Sequence, residues 1–539
     1  MKRGTQPWVP ESPTWWQRGV FYQIYPRSFR DASGDGLGDV RGILERVEYL
    51  AWLGVDAIWL SPIYPSEDVD LGYDVSDYCA VDRRLGTLAD FDRLLDALHD
   101  VGIKLVLDLV PNHTSDRHPW FLESRSSSDH PRHDWYVWRD PTPDESPPNN
   151  WQSYFGDKAW EYAEPPGKWY LHSFHRGQPD LNWDNPEVAQ AIHEVMRFWL
   201  SRGVDGFRVD VLWLLGKDRE FRDNPPNRDW HEGLPAWTRL ERVYSEDRVE
   251  SHERARLLRA VVDEFPDRLM IGEVVLPPVR AVAYYGNDLD EAHFPHNFAL
   301  TEIQEWSAAG VRAVVDAYEA VLPPGAWPNW LLGDHDFPRI ASRVGPERTR
   351  LVQLLLFSLR GTPTCYYGDE LGLPTADLSR SDLAVVDPQA AGAPWTNRLT
   401  ARTPMQWSPA RHGGFSEVEP WLPSASDEPN LTVERQRDDP TSVLHLFRSL
   451  IGLRRKIPAL AVGAYRSLRA PPDVFSFERQ HPEGSVEAHL NFAARAWDVE
   501  LAGPRKIVLS TAASTSSAGV RETRLTLQPY EGVLLAADL

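Results

Sequence analysis

Eight short apolar runs recur along the chain with stretches of helical period between them, and this alternation constrains the fold more than any other feature. The runs are GVFYQIYP from Gly19, VDAIWLSP from Val55, IKLVLDLVPNH from Ile103, VDGFRVDV from Val204, RLMIGEVV from Arg268, LDEAHFP from Leu289, NWLLGDHD from Asn329 and TPTCYYGDE from Thr362. Amphipathic segments such as LADFDRLLDALHDVG, PEVAQAIHEVMRFWLSRG and RTRLVQLLLFSLRG lie between them. Buried strands joined by helical crossovers make a parallel sheet. Eight such units suit an α/β fold closed as a (β/α)8 TIM barrel, with a doubly wound open sheet as the alternative.

Two segments are too long for simple βα loops. Residues 114–185, rich in Trp, Tyr, Pro and His, read as a subdomain inserted after strand 3; residues 374–440 form a second long loop containing RTPMQW. Both follow strands, so both belong on the barrel's functional face. After SVLHLFRSLIGLRRKIPAL the texture changes to short strands such as VFSFERQ and RKIVLST. The expected organisation is therefore a catalytic barrel over 1–113 and 186–460, the insertion over 114–185, and a C-terminal antiparallel β-sandwich domain over 461–539.

The formal net charge of −22 argues against a nucleic-acid partner or an anionic membrane, because both need a basic surface. Cys79 and Cys365 stand far apart without CxxC spacing, so neither a disulfide framework nor a zinc site is expected. The first residues lack an apolar signal core, and no run is long enough to span a bilayer, which predicts a cytoplasmic protein.

The strand ends carry the chemistry. In GFRVDV, alternation puts Arg208 and Asp210 on one face and Phe207 and Val209 on the other. One such pair is explained by a buried salt bridge. But LDLVPNH carries Asp108, Asn112 and His113, MIGEV puts Glu273 in an apolar strand, and LLGDHD ends in Asp334, His335 and Asp336. In a closed barrel these ends converge on one axis. Converging carboxylates with an arginine and two histidines suit general acid and nucleophile chemistry, with Arg208 expected to keep Asp210 ionised. A two-metal hydrolase is the competing use, although no H-E-x-x-H spacing is present.

With DLVPNHTS, GFRVDV, MIGEV and LLGDHDFPR in this order, supported by DASGDGLGD, LGYDVSDY, QPDLNWDNP and RTPMQW, nearly the whole chain resembles glycoside hydrolase family 13, the α-amylase family, in its α-glucosidase and oligo-1,6-glucosidase branch. The resemblance implies Asp210 as nucleophile, Glu273 as general acid and base, and Asp336 as the carboxylate that gathers sugar hydroxyls. It implies that Arg208 orients Asp210, that His113 and His335 bond hydroxyls of the sugar, that Tyr73 stacks on its ring, and that Asp70 pairs with Arg402 to close the non-reducing end. Gln178 belongs to the same set, and Phe174 and Phe294 stand either as aromatic walls or as core.

The implied activity is a retaining exo-α-glucosidase acting on short oligosaccharides, with transglucosylation possible when a sugar replaces water. No cofactor is implied for catalysis. A structural Ca2+ or Mg2+ is implied at Asp31, Ser33, Asp35, Asp39 and the carbonyl of Leu37, with serine standing where the family usually has asparagine. Val211, after the nucleophile, resembles members that prefer α-1,6 linkages; Leu71, Asp334 and Phe337 depart from the branch around the pocket rim. A trehalose- or sucrose-isomerising enzyme of the same fold is the alternative activity, and a catalytically inactive homologue the non-enzymatic one.

Overall fold

The computed structural model describes residues 9–156, 158–234, 236–379, 394–512 and 521–536. All eight expected strands are present: β1 Phe21–Ile24, β2 Ala57–Leu60, β3 Lys104–Leu109, β4 Gly206–Val209, β5 Leu269–Gly272, β6 Phe294–Pro295, β7 Asn329–Leu331 and β8 Thr362–Tyr366. They form one parallel sheet in the order β7-β8-β1-β2-β3-β4-β5-β6. β1 lies between β8 and β2, the neighbour relation of a barrel, which an open doubly wound sheet lacks. The strands are shorter than the apolar runs because each run continues into the loop at the strand's C-terminal end, where the polar residues are.

Helices Leu88–Asp100 and Pro186–Arg202 show how the sequence makes the crossovers. Thr87 and Asp90 form a reciprocal capping box at the start of the first. Asn185 caps the second, Pro186 occupies its first turn, and Gly203 ends it in a left-handed conformation. Their apolar stripes, Phe91, Leu94 and Leu98 in one and Val188, Ile192 and Trp199 in the other, join the main core. Close approach of β4 to β5 requires glycine at 206: a Cβ there would lie 2.2 Å from the carbonyl oxygen of Leu269.

Between β3 and β4 the strands Trp138–Arg139, Lys168–Leu171 and Trp160–Ala163 form a three-stranded antiparallel sheet. Beyond the barrel the chain forms a six-stranded antiparallel sheet from Ala464–Leu468 to Gly532–Ala536. The sequence reading expected a sandwich of two sheets; among the described residues there is this single sheet. The reason lies in its two faces. Phe475, Phe477, Leu490 and Leu534 pack into the main core, so the barrel's helices do the work of a second sheet. Val499, Ile507, Leu527, Val533 and Leu535 form a small separate core on the other side.

Two fully buried arginines fasten this sheet to the barrel. Arg479 donates to the carbonyls of Ser358 (2.8 Å), Leu359 (2.6 Å) and Gly463 (2.7 Å). Arg454 donates to Phe357 (2.9 Å) and Gly361 (2.7 Å). The carbonyls of Phe357, Ser358 and Leu359 end helix Pro346–Ser358, and that of Gly463 caps helix Pro458–Val462, places where the helix dipole favours cations.

Candidate active site

Asp108 and Arg208 face each other in register across β3 and β4, and both are almost completely buried. Arg208 Nη1 donates to Asp108 Oδ1 and to Asp210 Oδ1, each at 2.7 Å, while Nη2 pairs with Glu273 Oε1 at 2.9 Å. One guanidinium therefore serves three carboxylates, rather than Asp210 alone as the sequence reading expected. Burial first, then the charge of Glu273, push Asp210 well above the ordinary carboxylate range against the pull of Arg208. Asp108 is pushed up to about 6 by burial, with Arg208 and Trp59 opposing.

The loop after β7 brings in the third strand-end acid. Arg402 donates to Asp336 Oδ1 (2.6 Å) and to the carbonyl of His335 (2.9 Å). Burial resists the charge on Asp336, but His335, Arg398 and Arg402 outweigh it and hold the carboxyl below its ordinary range. Burial also keeps His335 well below the ordinary histidine range and so neutral, leaving the two guanidiniums as the charges that matter. Asp334 is pushed up to about 8 by burial and by Asp336. Asp334, His335 and Asp336 are the one group among the described residues whose acid and imidazole ligand atoms lie close enough to hold a metal. Asp336 is occupied by arginines, however, and His335 Nδ1 by Gln23 at 2.8 Å.

Around these acids the structure gathers most of the expected substrate-binding residues. Tyr73 lies parallel to His335, with ring centroids 5.3 Å apart, and its hydroxyl donates to Asp108 Oδ2 at 3.1 Å. Gln178 stands between Asp70 (3.1 Å) and His113 (3.1 Å). Phe174 leans on His113 at 5.2 Å and stacks on Tyr154 at 5.3 Å, joining the insertion to the strand ends.

Two expectations need correction. The arginine that pairs with Asp70 is Arg398, at 2.8 Å, not Arg402. Arg398 also reaches Asp336 at 3.3 Å, so it bridges the two acids, whereas Arg402 is fully buried behind Asp336. Sequence reasoning missed Arg398, although a second arginine four residues before Arg402 in the same loop was the available signal. Phe294 is core: it is fully buried, because β6 packs it against the rings of Phe21 (6.1 Å) and Trp16 (5.8 Å).

The acidic loop was expected to hold a structural ion. Asp31 accepts four hydrogen bonds, from Ser33 Oγ and the Gly34 amide on Oδ1 and from the Gly36 amide and Ser416 Oγ on Oδ2. Asp39 accepts from the amides of Ala32, Ser33 and Gly42. Asp35 accepts from the amide of Leu37. The donors fall mainly on Asp31 and Asp39 while Asp35 accepts one, and Asp31, Asp35 and Asp39 are not among the described acid groups whose oxygens lie close enough together to hold a metal, so an ion held by Asp31, Ser33, Asp35, Leu37 and Asp39 is not shown.

Residues 23–463 match the family model described as alpha amylase, catalytic domain. The chain is 41% identical over 503 residues to a probable alpha-glucosidase of Rhizobium meliloti, covering 90% of this chain and 91% of that one. It is 37% identical to the oligo-1,6-glucosidase of Parageobacillus thermoglucosidasius, covering 89% and 91%. Among solved structures, the alpha-glucosyl transfer enzyme XgtA superposes with a TM-score of 0.90 at 37% identity, covering 98% of this chain and 100% of that one. The chain belongs to the alpha-amylase family of glycoside hydrolases. Within that family it is an enzyme of the α-glucosidase and oligo-1,6-glucosidase branch.

Proposed function

We propose that this α-glucosidase removes single glucose units from the non-reducing end of short α-glucosides with retention of configuration, Asp210 acting as nucleophile and Glu273 as acid and base. Two carboxyls held on adjacent nitrogens of one guanidinium fit the separation of about 5–5.5 Å that retention needs. Asp210 attacks the anomeric carbon while Glu273 protonates the departing oxygen; the bond between them breaks and a glucosyl ester forms on Asp210. Glu273 then takes a proton from water, which attacks the same carbon and releases α-glucose and free Asp210. Asp336, kept ionised by Arg398 and Arg402, accepts hydrogen bonds from ring hydroxyls as positive charge develops at the anomeric centre. His113 and His335, both neutral through burial, add bonds to hydroxyls without adding charge.

The single observation that carries exo-action is Arg398 spanning Asp70 and Asp336. That bridge closes one side of the site, making a pocket with room for one terminal sugar.

The test is product analysis on maltose, isomaltose, sucrose, trehalose and maltotriose, with anomers followed by NMR. Free glucose, first seen as the α anomer, is expected as the main product, with glucosyl-transfer products rising at high sugar concentration. A dominant rearranged disaccharide from sucrose would replace hydrolysis by isomerisation. Asp210→Asn and Glu273→Gln are each expected to abolish turnover of maltose; full activity in either would end the assignment.

A further inference from the structure

Val211 follows Asp210 directly and adopts φ 41°, ψ 46°, the left-handed region. For a buried β-branched residue this is a genuine outlier, since its branched Cβ crowds the backbone there. Such a conformation persists only where surrounding contacts enforce it, and such sites cluster where chemistry is done.

The contacts are specific. The amide N–H of Val211 donates to Glu273 Oε2 at 2.8 Å. The next amide, of Leu212, donates to the backbone carbonyl of Glu273 at 3.1 Å, and the Glu273 amide donates to the carbonyl of Val209 at 2.9 Å. With left-handed dihedrals at 211 the two successive amides both turn toward Glu273. Oε1 of the same carboxyl is taken by Arg208 at 2.9 Å. Two donors on two oxygens fix the plane of the carboxyl, and one of them is the amide of the strained residue after the nucleophile.

We infer that the Val211 turn is a positioning element for Glu273: its amide holds the carboxyl in the plane from which it delivers a proton to the leaving oxygen. The turn thereby couples the strand that carries the nucleophile to the residue that supplies the proton. This rests on the reading of Glu273 as acid and base.

A single-atom change tests it. Suppression of a stop codon at 211 with the α-hydroxy analogue of valine replaces the amide N–H by an ester oxygen and keeps the side chain and carbonyl. The expected result is a fall of about tenfold in kcat/KM for an alkyl α-glucoside, whose leaving group needs the proton. For 2,4-dinitrophenyl α-glucoside, whose leaving group does not, the change is expected to stay within about twofold. A purely structural role would lower both alike. Val211→Gly, which keeps the amide and takes the same dihedrals without a Cβ, is expected to retain wild-type leaving-group dependence and guards against misfolding of the ester protein. Equal losses on both substrates, or none on either, would overturn the inference. If Glu273→Gln itself shows no leaving-group dependence, the assignment of Glu273 fails instead.

Discussion

Replacing Arg398 by alanine separates the two jobs that the bridge combines. Arg398 donates to Asp70 at 2.8 Å and to Asp336 at 3.3 Å, while Asp336 keeps its shorter bond from Arg402 at 2.6 Å. A hydrogen bond between charged partners contributes about 1.5–3 kcal/mol, which corresponds to roughly 10- to 150-fold in kcat/KM. The side chains of Arg398 and Asp336 are 21% and 31% exposed, so solvent screening favours the lower part of that range, roughly 10- to 30-fold on maltose. The sign of the pH effect follows from the same contacts. Asp336 acts ionised and lies below its ordinary range partly through Arg398, so losing the arginine raises it and moves the acid limb of the pH–activity profile upward. Opening the bridge also relieves the block on longer chains, and the maltose-to-maltotetraose preference should narrow. The assay is kcat/KM on both sugars across pH 4 to 7, in Arg398→Ala, Asp70→Ala and the double variant. The single effects should be strongly non-additive, because both remove the same contact. A double variant whose loss equals the sum of the two, together with an unmoved acid limb, would refute the bridge as the origin of pocket closure.

Arg479→Met should destabilise the folded chain by at least ~3 kcal/mol in reversible urea unfolding, because it strands several buried carbonyls at a helix end; a change under ~1 kcal/mol would show them satisfied otherwise. Prolonged dialysis against a chelator should leave the thermal midpoint and activity unchanged; a clear drop restored by Ca2+ or Mg2+ would place an ion in the loop from Asp31 to Asp39. Asp205 lies below its ordinary range: burial opposes the charge, but His99 (2.7 Å), the Leu105 amide (3.0 Å) and Lys104 (2.9 Å) outweigh it. A depressed carboxyl stabilises the fold above its unfolded pKa of about 3.9 and loses that stability as pH falls toward its folded value. Asp205→Asn should therefore lower stability at pH 7 and flatten its decline below about pH 4, measured by urea midpoints across that window.

The barrel was legible because its signal is local: apolar runs with β-branched residues, capped amphipathic helices, and turns at regular distances. The acids were legible for a related reason. A carboxylate at the end of a buried strand has few structural excuses, and four such ends on one barrel converge by topology alone. Resemblance to a known family then assigned roles that periodicity could not.

What the sequence left open depends on which side chains meet across the fold. Arg398 and Arg402 are separated by a single helical turn, and only the path of the loop after β8 decides that the first reaches Asp70 while the second is buried behind Asp336. Phe294 and Phe174 are the same residue type; packing against Trp16 and Phe21 made the first core, while the second leans on His113 at the strand ends. The acidic loop has the spacing of a cation site, and it took the fold to show that Ser416, distant in sequence, donates to Asp31. The backbone turn at Val211 is invisible to any propensity, because valine disfavours it. Sequence determined the alternation of strands and helices and the convergence of acids, both set by short-range chemistry. Tertiary structure alone decided how donors were shared among those acids, because that depends on ångström-scale distances between residues up to hundreds of positions apart.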